Sequence, residues 1–184
     1  TGNLGLICYT KRHEILSYTE ETGFLSNECR CIIETSDGSL LVGTNGGLAI
    51  IHNMVVDKEL TGKTGLDNTV ILTVEELSQG KYLLGTDGDG VYIVDDNRVK
   101  KMGREDGLTS DVILRIKKDE ERDVVWIITS NSLQYMRGGE IFNVEHFPYN
   151  NNFDVYYDEN GNLWVLSSYG IYCVNAEDVL SGEE

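Results

Sequence analysis

The sequence is short of cationic side chains. Fifteen Lys and Arg stand against 31 Asp and Glu, for a net charge of −16. No basic cluster interrupts this acid. The surface therefore repels phosphate backbones and anionic headgroups, and nucleic acid is excluded as a partner. The same charge keeps strand edges of different molecules apart. Long apolar runs are also missing. The longest is five residues, Val124-Val125-Trp126-Ile127-Ile128, whereas a membrane-crossing helix needs about 20. Histidine and cysteine are sparse. His13, His52 and His146 are scattered, with neither metal-ligand spacing nor an evident partner for an imidazole base. Cys8, Cys29, Cys31 and Cys173 match no usual zinc pattern. Cys29 and Cys31 are expected on one strand face. Buried free thiols are the expectation for all four, with one disulfide as the alternative. A G-x-S-x-G nucleophile context and a phosphate-cradling glycine loop are both absent. The chain thus reads as non-catalytic, with no metal and no cofactor. It begins at Thr1 without a signal peptide, and reads as a mature or excised piece.

What is present is a repeat. Gly23-Phe24, Gly65-Leu66 and Gly107-Leu108 step by 42 residues, and so do Ile32, Val74 and Ile116 that follow them. In a fourth, shorter copy Phe147 and Val155 take these places. The second half of the unit reads Leu40-Leu-Val-Gly43-Thr44-Asn-Gly46-Gly47-Leu48, then Tyr82-Leu-Leu-Gly85-Thr86-Asp-Gly88-Asp-Gly90-Val91. The third copy, Val124-Val-Trp126-Ile-Ile-Thr129-Ser-Asn131-Ser-Leu133, has lost its turn glycines, which predicts an altered turn. The fourth is Leu163-Trp164-Val-Leu-Ser167-Ser-Tyr169-Gly170-Ile171, and Gly5-Leu6-Ile7-Cys8-Tyr9 echoes Gly47–Ile51.

Short runs of Val, Ile and Tyr between Gly, Asp and Asn clusters are hairpin signals. In the second copy they predict strands at Ile71–Glu75, Tyr82–Gly85, Val91–Val94 and Arg98–Met102. Long helices are not expected; Asn175 is placed to cap a short one at Ala176–Leu180, with Asp178 at its third position. A repeated four-stranded unit of this length matches a propeller blade. A β-sandwich is the competing fold, but it does not require a repeated sequence. The expected fold class is all-β: four-stranded antiparallel β-propeller blades, about four and a half units. The units are a partial blade at 1–22, blades at 23–64, 65–106 and 107–145, and an incomplete blade at 146–184. Both ends carry a third strand, Gly5–Tyr9 and Gly170–Val174, which would compete for one place in a closed ring. The expectation is an incomplete slice of a larger propeller, its edges covered by a second copy or by the rest of a parent chain.

The units resemble the two-component-regulator propeller repeat. The residues that carry this resemblance are Gly65-Leu66-Asp67-Asn68, Gly85-Thr86, Gly90-Val91-Tyr92 and Asp158-Glu-Asn-Gly161-Asn-Leu-Trp164. The resemblance implies a non-catalytic, extracytoplasmic sensor on the periplasmic or extracellular side of a bacterial membrane. It further implies an oligosaccharide or other small-molecule ligand, and an output such as a histidine kinase or cyclic-dinucleotide synthase in the same polypeptide. Homodimers and the rest of the parent chain are the protein partners it suggests. The alternative reading is a scaffold that binds a protein partner.

Propellers bind ligands at one mouth, on loops between blades and between second and third strands. Candidate ligand-binding residues are Asn27, Asn68 and Ser110 from the first set of loops, with Asn45, Asp87, Asp89, Asn131 and Tyr169 from the second. Amides, carboxylates and a tyrosine ring suit sugar hydroxyls and a sugar face. Asp87-Gly88-Asp89-Gly90 resembles the opening of a calcium loop but lacks the later Glu, so it reads as a turn.

Overall fold

The computed structural model describes residues 2–58, 66, 68–96, 98–145, 147 and 151–182. Gly65, Asp67, Asn97 and His146 lie outside the described residues. The chain divides into two compact units, one of residues 1–84 with 92–100 and one of residues 85–91 with 101–184.

The first unit opens with the hairpin β1 (Leu6–Tyr9) and β2 (Ile15–Tyr18). A four-stranded antiparallel sheet follows: β3 (Cys29–Glu34), β4 (Leu40–Thr44), β5 (Gly47–His52) and the short β6 (Val55–Val56). The next sheet, β7 (Ile71–Ser78), β8 (Lys81–Thr86), β9 (Val91–Asp95) and β10 (Arg98–Met102), has most of its length in this unit. Strand β7 runs three residues beyond its expected end. The β3–β6 sheet is apolar on both faces because both are covered. Leu41, Leu48 and Ile50 pack on Ile71, Val74 and Leu84 of the following sheet. Val42, Ala49, Ile51 and Val56 pack with Tyr18 and Phe24, and with the half-buried Leu6, Cys8 and Leu16 of the first hairpin.

The second unit holds β11 (Ile113–Asp119), β12 (Val124–Thr129), β13 (Leu133–Arg137) and β14 (Glu140–Asn143) in one sheet. The three strands β15 (Asn152–Tyr157), β16 (Asn162–Ser167) and β17 (Gly170–Asn175) form another. Trp126, Ile128 and Leu133 of the first pack on Val155, Leu163 and Val165 of the second. A short helix, α1 (Ala176–Ser181), closes this core. Asn175 Oδ1 caps it, accepting from Glu177 N at 3.0 Å and Asp178 N at 3.2 Å. Among the described residues no helix is long and apolar enough to cross a membrane.

The apolar half of each Gly-Leu pair is a core anchor: Phe24, Leu66 and Leu108 are all buried. Before Phe24 and Leu108, Gly23 and Gly107 each close a turn of 3-10 helix, with φ of 116° and 106°. A side chain with a Cβ rarely adopts that conformation.

Two expectations are corrected. Cys29 and Cys31 do not share a face. The β3–β4 register slips between them, so Cys29 pairs with Thr44 and Cys31 with Gly43. Cys29 therefore packs on the Val42 side and Cys31 on the Leu41 side. A bulge adds one residue and reverses the alternation beyond it. The same slip recurs between Ile113 and Arg115 and between Asn152 and Asp154. The cysteines are free thiols, but the expectation that they are buried fails: Cys8, Cys29 and Cys31 are half-buried, and Cys173 lies exposed on β17. The repeat positions differ in burial as well. Val74, Ile116 and Val155 are buried, but Ile32 is 48% exposed, since the two-stranded hairpin does not reach it.

Candidate functional site

Each of the four larger sheets ends its second strand on Thr or Ser, and that residue builds the loop beyond it. Thr44 Oγ1 donates to Gly47 O at 2.8 Å and accepts from Gly46 N at 3.1 Å. Thr86 Oγ1 donates to Gly90 O at 2.8 Å and accepts from Asp89 N at 2.9 Å. Thr129 Oγ1 accepts from Ser132 N at 3.0 Å, and Ser167 Oγ from Tyr169 N at 3.4 Å. All four are buried. A buried hydroxyl between two backbone groups fixes a turn that water would otherwise compete for. This is why Ser130-Asn131-Ser132 still turns tightly without glycine. These four residues stand in register in the aligned copies, so the repeat itself carried the signal for their role.

A second set of bonds ties these loops to the segment before the first strand of their own sheet. Asn45 N donates to Glu28 O, Ser130 N to Val112 O and Ser168 N to Asn151 O, at 2.9 to 3.0 Å. The candidate residues therefore sit on braced loops at the same end of their sheets.

In the first unit the structure brings Asn27, Asn45 and Asn68 onto linked loops. Asn45 Oδ1 accepts from Arg30 Nε at 2.6 Å, and its amide nitrogen donates to the Glu28 carboxylate. Arg30 and Glu28 pair at 3.5 Å. Asn27 exchanges two bonds with Glu20, at 2.9 and 3.1 Å, and its carbonyl accepts from Gly5 N at 2.9 Å. Asn68 N donates to Gly46 O at 2.8 Å, and the residue is exposed with φ of 68°. Burial pushes the nearby Cys29 thiol above its ordinary value.

In the second unit Asp87, Asp89, Ser110 and Asn131 come together. Gly88 N and Gly90 N both donate to Asp111 O, at 3.1 and 2.8 Å, and Asp87 bridges Val112. Lys101 Nζ pairs with Asp89 Oδ1 at 2.7 Å and Arg104 Nε with Asp111 Oδ2 at 3.2 Å. Ser110 is buried, and its hydroxyl shares a 2.7 Å bond with Ser130 and accepts from Val112 N. Asn131 Nδ2 donates to Thr109 O at 3.2 Å and its Oδ1 accepts from Thr129 Oγ1 at 3.0 Å. Tyr169, 68% exposed, stands on the β16–β17 turn of the other sheet.

The loops of each unit carry amides, carboxylates and guanidinium groups, and those of the second add the Tyr169 phenol. The charged residues Glu28, Arg30, Lys101, Arg104 and Asp111 were not foreseen from the sequence, because none repeats in register. Among the described residues no group of three His, Cys, Asp or Glu gathers as a metal set.

No family model and no curated protein matches the sequence. Solved structures do. The extracellular domain of the putative one component system BT4673 from B. thetaiotaomicron superposes with a TM-score of 0.78 at 20% identity, over 96% of this chain and 28% of that chain. That of the putative hybrid two component system BT3049 from the same source gives 0.72 at 23% identity, over 92% of this chain and 25% of that chain. Virginiamycin B lyase from Staphylococcus aureus gives 0.66 at 12% identity, over 94% of this chain and 63% of that chain. The chain thus spans about a quarter of the length of the two sensor-system domains. At these identities the likeness concerns the fold. It agrees with the fold read from the repeat: the chain is built of four-stranded antiparallel β-propeller blades.

Proposed function

We propose that this chain is a ligand-sensing propeller segment of a bacterial membrane signalling protein, held on the periplasmic or extracellular side and without catalytic activity of its own. The blades are the units that begin at residues 23, 65, 107 and 146. The observation that carries the proposal is that, in each unit, the loops after the second strands are braced by backbone bonds and present polar side chains. The fold likeness to the extracellular domains of the putative BT4673 and BT3049 component systems supports it. The ligand is a neutral polyhydroxylated molecule, an oligosaccharide: amides and carboxylates suit its hydroxyls, the Tyr169 ring suits its apolar face, and the net charge of −16 disfavours an anion. Binding would shift the population of blade arrangements and pass that shift to a kinase or cyclase output in the parent chain.

A thermal-shift screen against oligosaccharides tests this. A one-site ligand at 100 times its Kd adds about 2.7 kcal/mol, or about 5–10 °C on a chain of this size. The shift should vanish in Asp87→Ala, whose unliganded melting stays near that of the parent. No shift with any sugar, together with a stable complex with another protein, would replace the sensor by a scaffold.

A further inference from the structure

Two asparagines of the chain are followed by glycine, in Asn45-Gly46 and Asn160-Gly161. In such a pair the glycine nitrogen can attack the asparagine side-chain carbonyl, because no Cβ shields it and the backbone turns freely. The structure treats the two pairs in opposite ways. Asn45 is half-buried, and both ends of its amide are held. Its Oδ1 accepts from Arg30 Nε at 2.6 Å, and its Nδ2 donates to the Glu28 carboxylate. Gly46 O accepts from Asn68 N at 2.8 Å, and a Cβ on Gly46 would collide with the Leu25 carbonyl oxygen. Asn160 is exposed in the turn from β15 to β16. Its backbone N donates to Asp158 Oδ1 at 2.9 Å, but among the described residues no bond holds its side-chain amide. The attacking nitrogens are tied alike, Gly46 N to Thr44 Oγ1 at 3.1 Å and Gly161 N to Asp158 O at 3.2 Å. The difference lies in the amides that they would attack.

We infer that Asn160 is a site of spontaneous deamidation, and that Arg30 and Glu28 guard Asn45 against the same reaction. Water is the co-reactant. Gly161 N gives its proton to solvent and bonds to Asn160 Cγ. The Cγ–Nδ2 bond breaks, and Nδ2 takes a proton from solvent and leaves as ammonia. Water then opens the five-membered succinimide at either carbonyl. The result is aspartate, or isoaspartate with one more methylene in the main chain. One amide and one water become one carboxylate and one ammonium ion, and nothing is oxidised or reduced. The aspartate product suits the fold. Thr35-Ser36-Asp37-Gly38 makes the corresponding turn from β3 to β4 with an acid in the place of Asn160, and Gly38 N bonds Thr35 O at 2.9 Å. The isoaspartate product does not, since its extra methylene lengthens the Asp158–Gly161 turn. The inference stands apart from ligand sensing, because this turn joins first and second strands, whereas the candidate loops follow the second.

The 184-residue chain is held for weeks in warm, mildly alkaline buffer. Its peptides are then mapped by mass, and isoaspartate is counted by enzymatic methylation. Asn160 should convert about tenfold or more faster than Asn45, whose bonds must open before it can react. In the urea-unfolded chain the two should convert at similar rates. Glu28→Ala should quicken conversion at Asn45 and leave that at Asn160 as in the parent. Equal rates in the folded chain overturn the inference. So does a preference for Asn160 that persists undiminished in urea, which would assign it to the flanking sequence. The folded and unfolded parent chains decide the matter even where Glu28→Ala does not fold.

Discussion

Trp126 Nε1 donates a 3.2 Å hydrogen bond to Oδ2 of Asp119, and both residues are wholly shut off from water. The same oxygen takes Arg122 Nη1 at 3.0 Å, and Asp119 Oδ1 accepts from Arg122 N at 3.2 Å. One carboxylate thus holds the turn between β11 and β12, neutralises a guanidinium with only 5% of its side chain exposed, and satisfies an indole. Asp119→Ala should destabilise the chain by about 1–3 kcal/mol, because it leaves the buried Trp126 indole N–H without its acceptor and Arg122 with only Glu177 and Glu121, at 3.2 and 3.7 Å. Asp119→Asn, which keeps an acceptor for the indole, should cost less. Urea unfolding checks both; equal small losses would mean that Arg122 finds another partner.

In the fourth repeat the same device lies in water. Trp164 Nε1, the Asn162 side chain and the Asn162 and Asn160 backbone all donate to Asp158, and these bonds lower its carboxyl from 3.8 to about 2. Asp37, bonded by Thr35 Oγ1 and Ser39 N, is lowered likewise to about 2. A carboxyl depressed on folding contributes stability that is present above its unfolded value, about 4, and lost as pH falls through its folded value. The Asp37→Asn/Asp158→Asn double variant should be less stable than the parent near neutral pH, and the gap should close between pH about 4 and about 2. Urea midpoints across that range test it; a gap that persists at the acid end counts against the assignment.

Gly43 has ordinary strand conformation, yet no room for a side chain. A Cβ there would lie 2.5 Å from Cys31 Sγ and 2.9 Å from the Ile71 carbonyl oxygen. The thiol can turn aside, but the backbone oxygen cannot. Gly43→Ala should cost about 1–3 kcal/mol by overpacking. Pairing it with Cys31→Ala should recover only part of that loss.

Thr129→Val keeps the shape of the side chain and removes its hydroxyl. The backbone N–H groups of Asn131 and Ser132 then lose their acceptor, a cost of about 1–3 kcal/mol. The loop should open before the sheet does, so amide exchange at Asn131 and Ser132 should quicken while Ile127 stays protected. Uniform quickening across β12 would show that the hydroxyl supports the sheet rather than the loop.

The strands and their order were legible because each turn is marked by Gly, Asp or Asn and the marks recur every 42 residues. The faces were less so. The bulged positions are Arg30, Leu114 and Phe153, three unrelated side chains, and nothing in them announces an extra residue. The error over Cys29 and Cys31 follows from that. The candidate loop residues were located by the repeat, but their partners were not. Asn45 meets Glu28 and Arg30, and Asn131 meets Thr109, across a folded strand pair in which no local spacing fixes the match.

The recurring bulge has a consequence for how such a chain diversifies. It separates the segment that enters each blade from the strand that packs it. Residues ahead of the slip answer to the loops, while those behind it answer to the core. Changes of length or sequence ahead of the slip leave the inward and outward assignment of Ile32–Glu34, Ile116–Asp119 or Val155–Tyr157 untouched. The blade can therefore acquire a new surface at its entrance while inheriting an old interior.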